Sequence, residues 1–380
     1  MVAVAAVLLT IALVFDSFRD FDPDDADIKN DWVAAAALMA GDNPYRDLDA
    51  LARDYAGDGY IPPPAAPDAP QPKRTPRTPG ALLLAVPLLL VPIEDLVSIT
   101  NTVSAILIVP TLGLAIWPRR SPFFLALSVA VLVSVPALWS FRYVTVSALV
   151  ALLLITAVVA MKRDIPFLAG VSIALAATLK LFPGILLVVA LARRSMRTVF
   201  WCVSVLALLN IAPLLAFGNA ALSEAIDAVS GSGARFSFLT SNISMTKQIA
   251  DVGGTAAAVI FFGLAVATMC VLVYRRPSRV SVDSLLLMSV ATLLAPLSWA
   301  HYLLGVFPLV LLVAGEEETS PVTRVAILAG FVITIPTLGI WASAAAVAIF
   351  ALAAGFERHR SLQSVVSPTR HPVPAPVSVR

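Results

Sequence analysis

The sequence predicts an all-α integral-membrane protein: a polytopic bundle of about 10–12 transmembrane helices with a long external first loop. Three observations carry that expectation. Of the 380 residues, 59% are hydrophobic and only 13% charged, whereas soluble domains carry about 25% charged residues. Apolar runs of membrane-crossing length recur along the chain, and the mean hydropathy is +0.90. Short basic clusters separate those runs, as in Lys162-Arg163, Arg193-Arg194 and Arg275-Arg276. The charges nearly cancel, 26 Lys and Arg against 24 Asp and Glu, so no basic excess points to nucleic acid. Cys202 and Cys270 both sit inside apolar runs, which leaves no disulfide framework and no Cys-based metal site.

Residues 1–18 form the first apolar run, with no basic leader region before it and no small-residue cleavage site after it. That pattern predicts a retained transmembrane helix rather than a removed signal. Residues 19–79 follow as an external loop that holds twelve aspartates, no glutamate and seven Lys and Arg. Within it, 19–55 reads as ordered, with a helix from Asp31 to Met39 ended by Gly41, and the proline-rich 56–72 as a flexible insert. Residues 80–356 form the transmembrane bundle, with apolar segments near 94–117, 121–139, 144–161, 165–192, 198–217, 255–274, 281–297, 302–314 and 325–355. Glu94 and Asp95 mark the end of a short interfacial helix ahead of the first of these. Placing every basic cluster on the cytoplasmic side requires 165–192 and 325–355 to enter and leave on the same face. Both are therefore predicted hairpins, broken at Lys180 and Pro183 in one and at Pro336 and Gly339 in the other. Residues 218–254 read as a second external loop, and 357–380 as a disordered cytoplasmic tail.

The polar minority must carry any chemistry. Most of the aspartates at 20, 22, 24, 25 and 27 read as a solvated acidic linker. Asp31 stands apart, because it opens an apolar helix beside Trp32, near the membrane surface, where a shielded carboxylate is placed to act as a base on a hydroxyl. Capping of that helix is the alternative role. Candidate cations for a phosphate on the external face are Arg74, Arg77, Arg142, Arg235, Lys247 and His301. His301 lies in a short turn between Trp299 and Tyr302, a pair that also suits an interfacial aromatic belt. Lys180 is an intramembrane cation, and either positions a substrate or snorkels to the interface. No nucleotide-binding glycine loop, His-Glu-x-x-His motif or Ser/His/Asp pattern occurs.

Asn30-Asp31-Trp32 followed by Gly41-Asp42-Asn43-Pro44-Tyr45 resembles the first-loop pattern of glycosyltransferase family 87. That family comprises actinobacterial integral-membrane enzymes with a GT-C fold that draw sugars from polyprenyl phosphates, the mycobacterial-type α-1,2-mannosyltransferases among them. Four more stretches are similar in the same order. They are Thr78-Pro79-Gly80 leading into Ala85-Val86-Pro87, Gly170 through Leu179-Lys180-Leu181-Phe182-Pro183, Asn242-Ile243-Ser244, and Pro296-Leu297-Ser298-Trp299-Ala300-His301. The resemblance runs from about residue 27 to 315. Phe141-Arg142-Tyr143-Val144-Thr145 departs from the Gly-Gln-Val-Asn that members often show at the fourth helix.

The resemblance implies an inverting transfer from a lipid-linked sugar, with Asp31 as general base. It implies substrate contacts at Lys180, Asn242, Ser244, Trp299, His301 and Tyr302, beside the cationic candidates Arg77 and Arg142. It implies a polyprenyl-phosphate-mannose donor and a glycolipid or lipoglycan acceptor, in the plasma membrane with the site outside, and no cofactor, with dependence on a divalent metal left open. A polyprenyl-phosphate-arabinose donor is the close alternative. A secondary transporter or lipid flippase is the alternative from another class, which broken hairpins also suit.

Overall fold

The computed structural model describes residues 27–57, 60, 75, 77–117, 121–132, 134–236, 245–294, 300–334 and 340–366. Helices make up 83% of it, and no strand occurs among the described residues. The first apolar run at 1–18 and nearly all of the proline-rich insert lie outside the described residues.

The first described helix, α1, spans Asp27–Met39 and ends where Gly41 takes φ +76°, the left-handed conformation that stops a helix. It starts four residues before the predicted Asp31, so Asp31 lies one turn inside and is not the cap. A short α2 (Leu48–Tyr55) folds back on it, burying Leu51 and Ala52 against Val33 and Ala37. α3 (Pro79–Ala85) starts at Thr78, whose hydroxyl accepts from Ala81 N–H at 3.2 Å, with proline at a first-turn position. A 3₁₀ turn over Val86–Leu90 follows, and the chain re-enters a helix at Leu96, just past the predicted break at Glu94 and Asp95.

Next come α4 (Leu96–Ile116), α5 (Pro122–Leu132), α6 (Val135–Arg142) and α7 (Ser147–Lys162). The predicted single segment at 121–139 is thus two helices, because Ser134 and the proline in the first turn of α6 start a new one. α8 (Pro166–Leu179) stops at Lys180, a 3₁₀ turn spans Phe182–Ile185, and α9 (Leu186–Ala192) completes a segment interrupted where expected.

α10 (Met196–Phe236) and α11 (Met245–Arg275, interrupted at Gly254) occupy most of what read as an external loop at 218–254. The physical reason is alanine: Ala225 and Ala228 sit three apart on one face, pack on Ala34, Leu38 and Leu82, and favour helix over loop. α12 (Val280–Leu294), a 3₁₀ turn (Ala300–Gly305), α13 (Phe307–Gly315), α14 (Pro321–Ile333) and α15 (Ile340–Val366) complete the order. α15 carries helix well past residue 357, where the tail was expected to begin, and 367–380 lie outside the described residues.

Every residue of α13 is buried, and α7 and α12 pack around it, so the middle of the bundle is apolar on all sides. The rim is apolar too: Ile106 and Val109 of α4, Leu208 of α10 and Leu264 of α11 are exposed. By length and composition two described helices could cross a membrane, Leu96–Ile116 and Ala256–Arg275, and the remaining apolar helices are shorter.

Candidate active site

Four elements converge on Asp31. Helical spacing puts Asp27 and Asp31 on one face of α1, and the Asp27 N–H donates to Tyr143 O at 3.2 Å, tying the helix start to the turn between α6 and α7. Arg77 approaches from the segment before α3, and its Nε donates to Asp31 Oδ1 at 2.7 Å. Both partners are largely buried, with side chains 17% and 8% exposed. Lys180 sits where α8 breaks; its Nζ donates to Ser147 Oγ at 2.8 Å and lies 3.8 Å from the centre of the Tyr302 ring. The Tyr302 ring in turn stacks on Phe182, centroids 5.3 Å apart.

Arg77 is held by its surroundings. Tyr45 donates its hydroxyl to Arg77 O at 3.2 Å, and Thr78 Oγ1 donates to Thr178 O at 3.1 Å. Tyr45 is placed by the turn Gly41–Tyr45, in which the Asn43 side chain accepts from Tyr45 N–H at 2.9 Å and donates to Glu224 at 2.7 Å. Asp42 accepts from Asn43 N–H and from Tyr55, and pairs with Arg46. Although desolvation pushes its carboxyl upward, those hydrogen bonds and the arginine charge hold it below the usual carboxylate range. The first-loop motif that drew attention to Asp31 therefore builds the turn that aims Arg77. Trp32 donates Nε1–H to Val91 O at 3.1 Å, anchoring α1 to the chain ahead of α4.

The electrostatics follow from two acids and one arginine in little solvent. Burial raises the Asp27 carboxyl, Arg77 pulls it back, and the nearby Asp31 raises it further. Burial opposes the Arg77 charge, but the ion pair with Asp31 outweighs it and holds the guanidinium above its ordinary value. Arg77 therefore stays cationic.

Asp31 and Arg77 are the charged residues that line a cavity of about 280 Å³ between α1, α3, α4, α7 and α8. Every other wall is apolar or hydroxyl-bearing, from Leu84 and Leu88 through Leu107 and Leu153 to Leu179. Ile99 and Val103 of α4, which also line it, are 42% and 46% exposed, so the cavity opens outward beside them.

Of the residues singled out in the sequence, Asp31, Arg77, Lys180 and Tyr302 come together. Arg142 ends α6, half-buried, and lines no part of this cavity. Trp299, Asn242 and Ser244 lie outside the described residues, as does Arg74; for His301, Arg235 and Lys247 only the backbone is described. Asp27 and Ser147 were missed as members. The signal for Asp27 was its i, i+4 spacing to Asp31, hidden by setting the helix start at Asp31. Among the described residues no group of three or more His, Cys, Asp or Glu is arranged to hold a metal ion.

A sequence model of glycosyltransferase family 87 matches residues 78–299, more than half of the chain. The chain belongs to glycosyltransferase family 87. It is therefore a glycosyltransferase, and members of this family are membrane proteins. The match begins one residue after Arg77 and takes in Lys180, Ser147 and the walls of the cavity from α3 to α8. Asp31 and Arg77 join that core through their own contacts. Among curated proteins, none matches the chain.

Proposed function

We propose that this family 87 chain is an inverting membrane glycosyltransferase that moves mannose from polyprenyl-phosphate-mannose to a glycolipid or lipoglycan acceptor, forming an α-1,2 linkage. The observation that carries this reading is the cavity whose charged lining residues are one carboxylate and one arginine, every other lining residue being apolar or hydroxyl-bearing. A polyprenyl phosphate is charged at one end and apolar along its length, and the open rim beside Ile99 and Val103 suits a tail that continues into lipid. A free nucleotide sugar would leave that surface unused.

In this reading Asp31 accepts the proton of the acceptor hydroxyl as its oxygen attacks the anomeric carbon. The bond from that carbon to the phosphate oxygen breaks on the opposite side, and the polyprenyl phosphate departs carrying the electron pair. Asp31 engages Nε of Arg77, so among the described residues its two terminal amino groups remain for phosphate oxygens. Lys180 supplies a further N–H donor and is held by Ser147 and Tyr302. The exposed apolar rim and the basic clusters at the far end of α7 support a multi-pass arrangement with Asp31 on the extracytoplasmic face.

The test is Asp31→Asn, purified and supplied with labelled polyprenyl-phosphate-mannose, with the arabinose donor in a parallel arm and an envelope lipid extract as acceptor. Transfer should fall by about 10²–10⁴-fold, with thermal unfolding showing that the variant folds. Turnover like that of the wild type would sink the assignment, and wild-type transfer from the arabinose donor alone would move the substrate to arabinose.

A further inference from the structure

At the other end of α7 the bundle holds a second cavity, polar and larger, of about 770 Å³. α7 lines both: Leu153 is its last residue on the first cavity and Met161 its first on the second, about 12 Å further along the helix at 1.5 Å per residue. Five elements meet there: the ends of α7, α9, α13 and α15, and the turn from Pro277 that leads into α12. Its walls carry four cations, Lys162, Arg193, Arg279 and Arg360, against two carboxylates, Glu316 and Glu318.

Internal pairing accounts for part of that charge. Lys162 pairs with Glu316, Arg279 reaches Glu316 and Glu357 at 2.9 Å each, and Arg360 reaches Glu357 at 3.2 Å. Arg193 donates to a backbone carbonyl, Ser278 O, which brings no negative charge. Glu316 Oε2, ion-paired with Arg279 at 2.9 Å, accepts no hydrogen bond among the described residues, and two donors remain unanswered: Ser278 Oγ, on a residue 9% exposed, and Arg279 Nε are both buried with no hydrogen-bond partner among the described residues. Both residues line the cavity. Buried donors left unmade are costly, and an excess of arginine around a polar hollow beside the N-terminus of a helix is chemistry suited to an oxyanion.

We propose that this cavity is a second binding site, which takes a phosphate-bearing anion. The anion is either the headgroup of an acidic phospholipid or a free phosphate, the two sources being one chemistry at the protein. Basic pockets between helix ends on the cytoplasmic side of membrane proteins recognise acidic headgroups in this way. The proposal stands independently of Asp31 and of the sugar donor.

The experiment uses the full chain in nanodiscs of phosphatidylcholine, with and without phosphatidylglycerol. Native mass spectrometry reads the lipid that stays bound, and a detergent-solubilised sample with inorganic phosphate alone forms the third arm. The wild type should retain phosphatidylglycerol, and Lys162→Gln with Arg360→Gln should lower retention by roughly tenfold or more. Arg163→Gln with Arg194→Gln removes the same charge from exposed neighbours outside the cavity and should leave retention unchanged. Lys162→Arg with Arg360→Lys should also retain the lipid, which separates loss of the site from loss of the fold. Thermal stabilisation by inorganic phosphate without lipid retention would support the site and name free phosphate as its source. Equal loss in the cavity and control variants, or no retention and no phosphate effect in the wild type, would overturn it.

Discussion

Asp31 and Arg77 hold each other in a site with little access to water, and that sets how each fails. Removing one partner of a buried pair leaves the other charged and uncompensated, at a cost of about 3–5 kcal/mol. Arg77→Gln should therefore lower stability by several kcal/mol, besides weakening use of the donor. Adding Asp31→Asn to it should return part of that stability, because the stranded carboxylate is gone. Thermal unfolding of the two single variants and the double variant measures this coupling. Additive losses would mean that the 2.7 Å contact carries little energy. At this scale the sequence revealed residue types and not their geometry. A lone aspartate beside a tryptophan was legible, and so were Arg77 and Lys180 as candidate cations. That Tyr45 and Asn43 exist to aim Arg77 was not, because the contact joins residues 32 apart in the chain. Val144 shows the same limit: it sits beside the site with φ +46°, a strained value for a β-branched residue, buried against Ile28 and Leu96.

Among the elements, the crossing of α8 over α10 turns on one missing side chain. A Cβ at Gly170 would lie 2.5 Å from Thr198 O and 2.7 Å from the Trp201 Cβ. Small residues let helices approach this closely in apolar surroundings. Gly170→Ala should lower stability by about 1–3 kcal/mol through overpacking, and through α8 it should also shift Lys180. Gly113 in α4 has nothing within 4 Å of its would-be Cβ. Gly113→Ala should raise stability by roughly 0.5–1 kcal/mol, since alanine loses less freedom in a helix. The midpoints of the two variants in chemical or thermal unfolding should move in opposite directions. The interruptions at Lys180 and after Asp95 were legible because proline, charge and hydropathy all change there. The helices across 218–254 were not, because small and polar residues read as loop until Ala225 and Ala228 find α1 and α3 to pack against.

Among the described residues the charges gather at two ends of an apolar bundle, and the end away from Asp31 is built to respond to acid. At the end away from Asp31, Glu357 is fully buried; it accepts from Ser320 N–H at 3.0 Å and from Thr323 Oγ1 at 2.8 Å, and pairs with Arg279 and Arg360. It lies beyond the apolar part of α15 and links that helix to the start of both α12 and α14. Burial pushes the Glu357 carboxyl up, but the Ser320 and Thr323 hydrogen bonds and the Arg279 charge outweigh it, so its folded value is below the ordinary 4.5. A carboxyl lowered on folding stabilises the protein above its unfolded value, and that contribution is lost as pH falls through the folded one. Acid below about pH 4.5 should therefore loosen this end, with protection from amide exchange, relative to the intrinsic rate at each pH, falling first in the last turns of α15 and the first turn of α14. Glu357→Gln should lower stability at neutral pH by about 1–3 kcal/mol and flatten the dependence on acid in that region. If the protection factors of α14 and α15 were as high at pH 4 as at pH 7, or if the variant kept the acid dependence of the wild type, Glu357 would not be the group that joins these three helices.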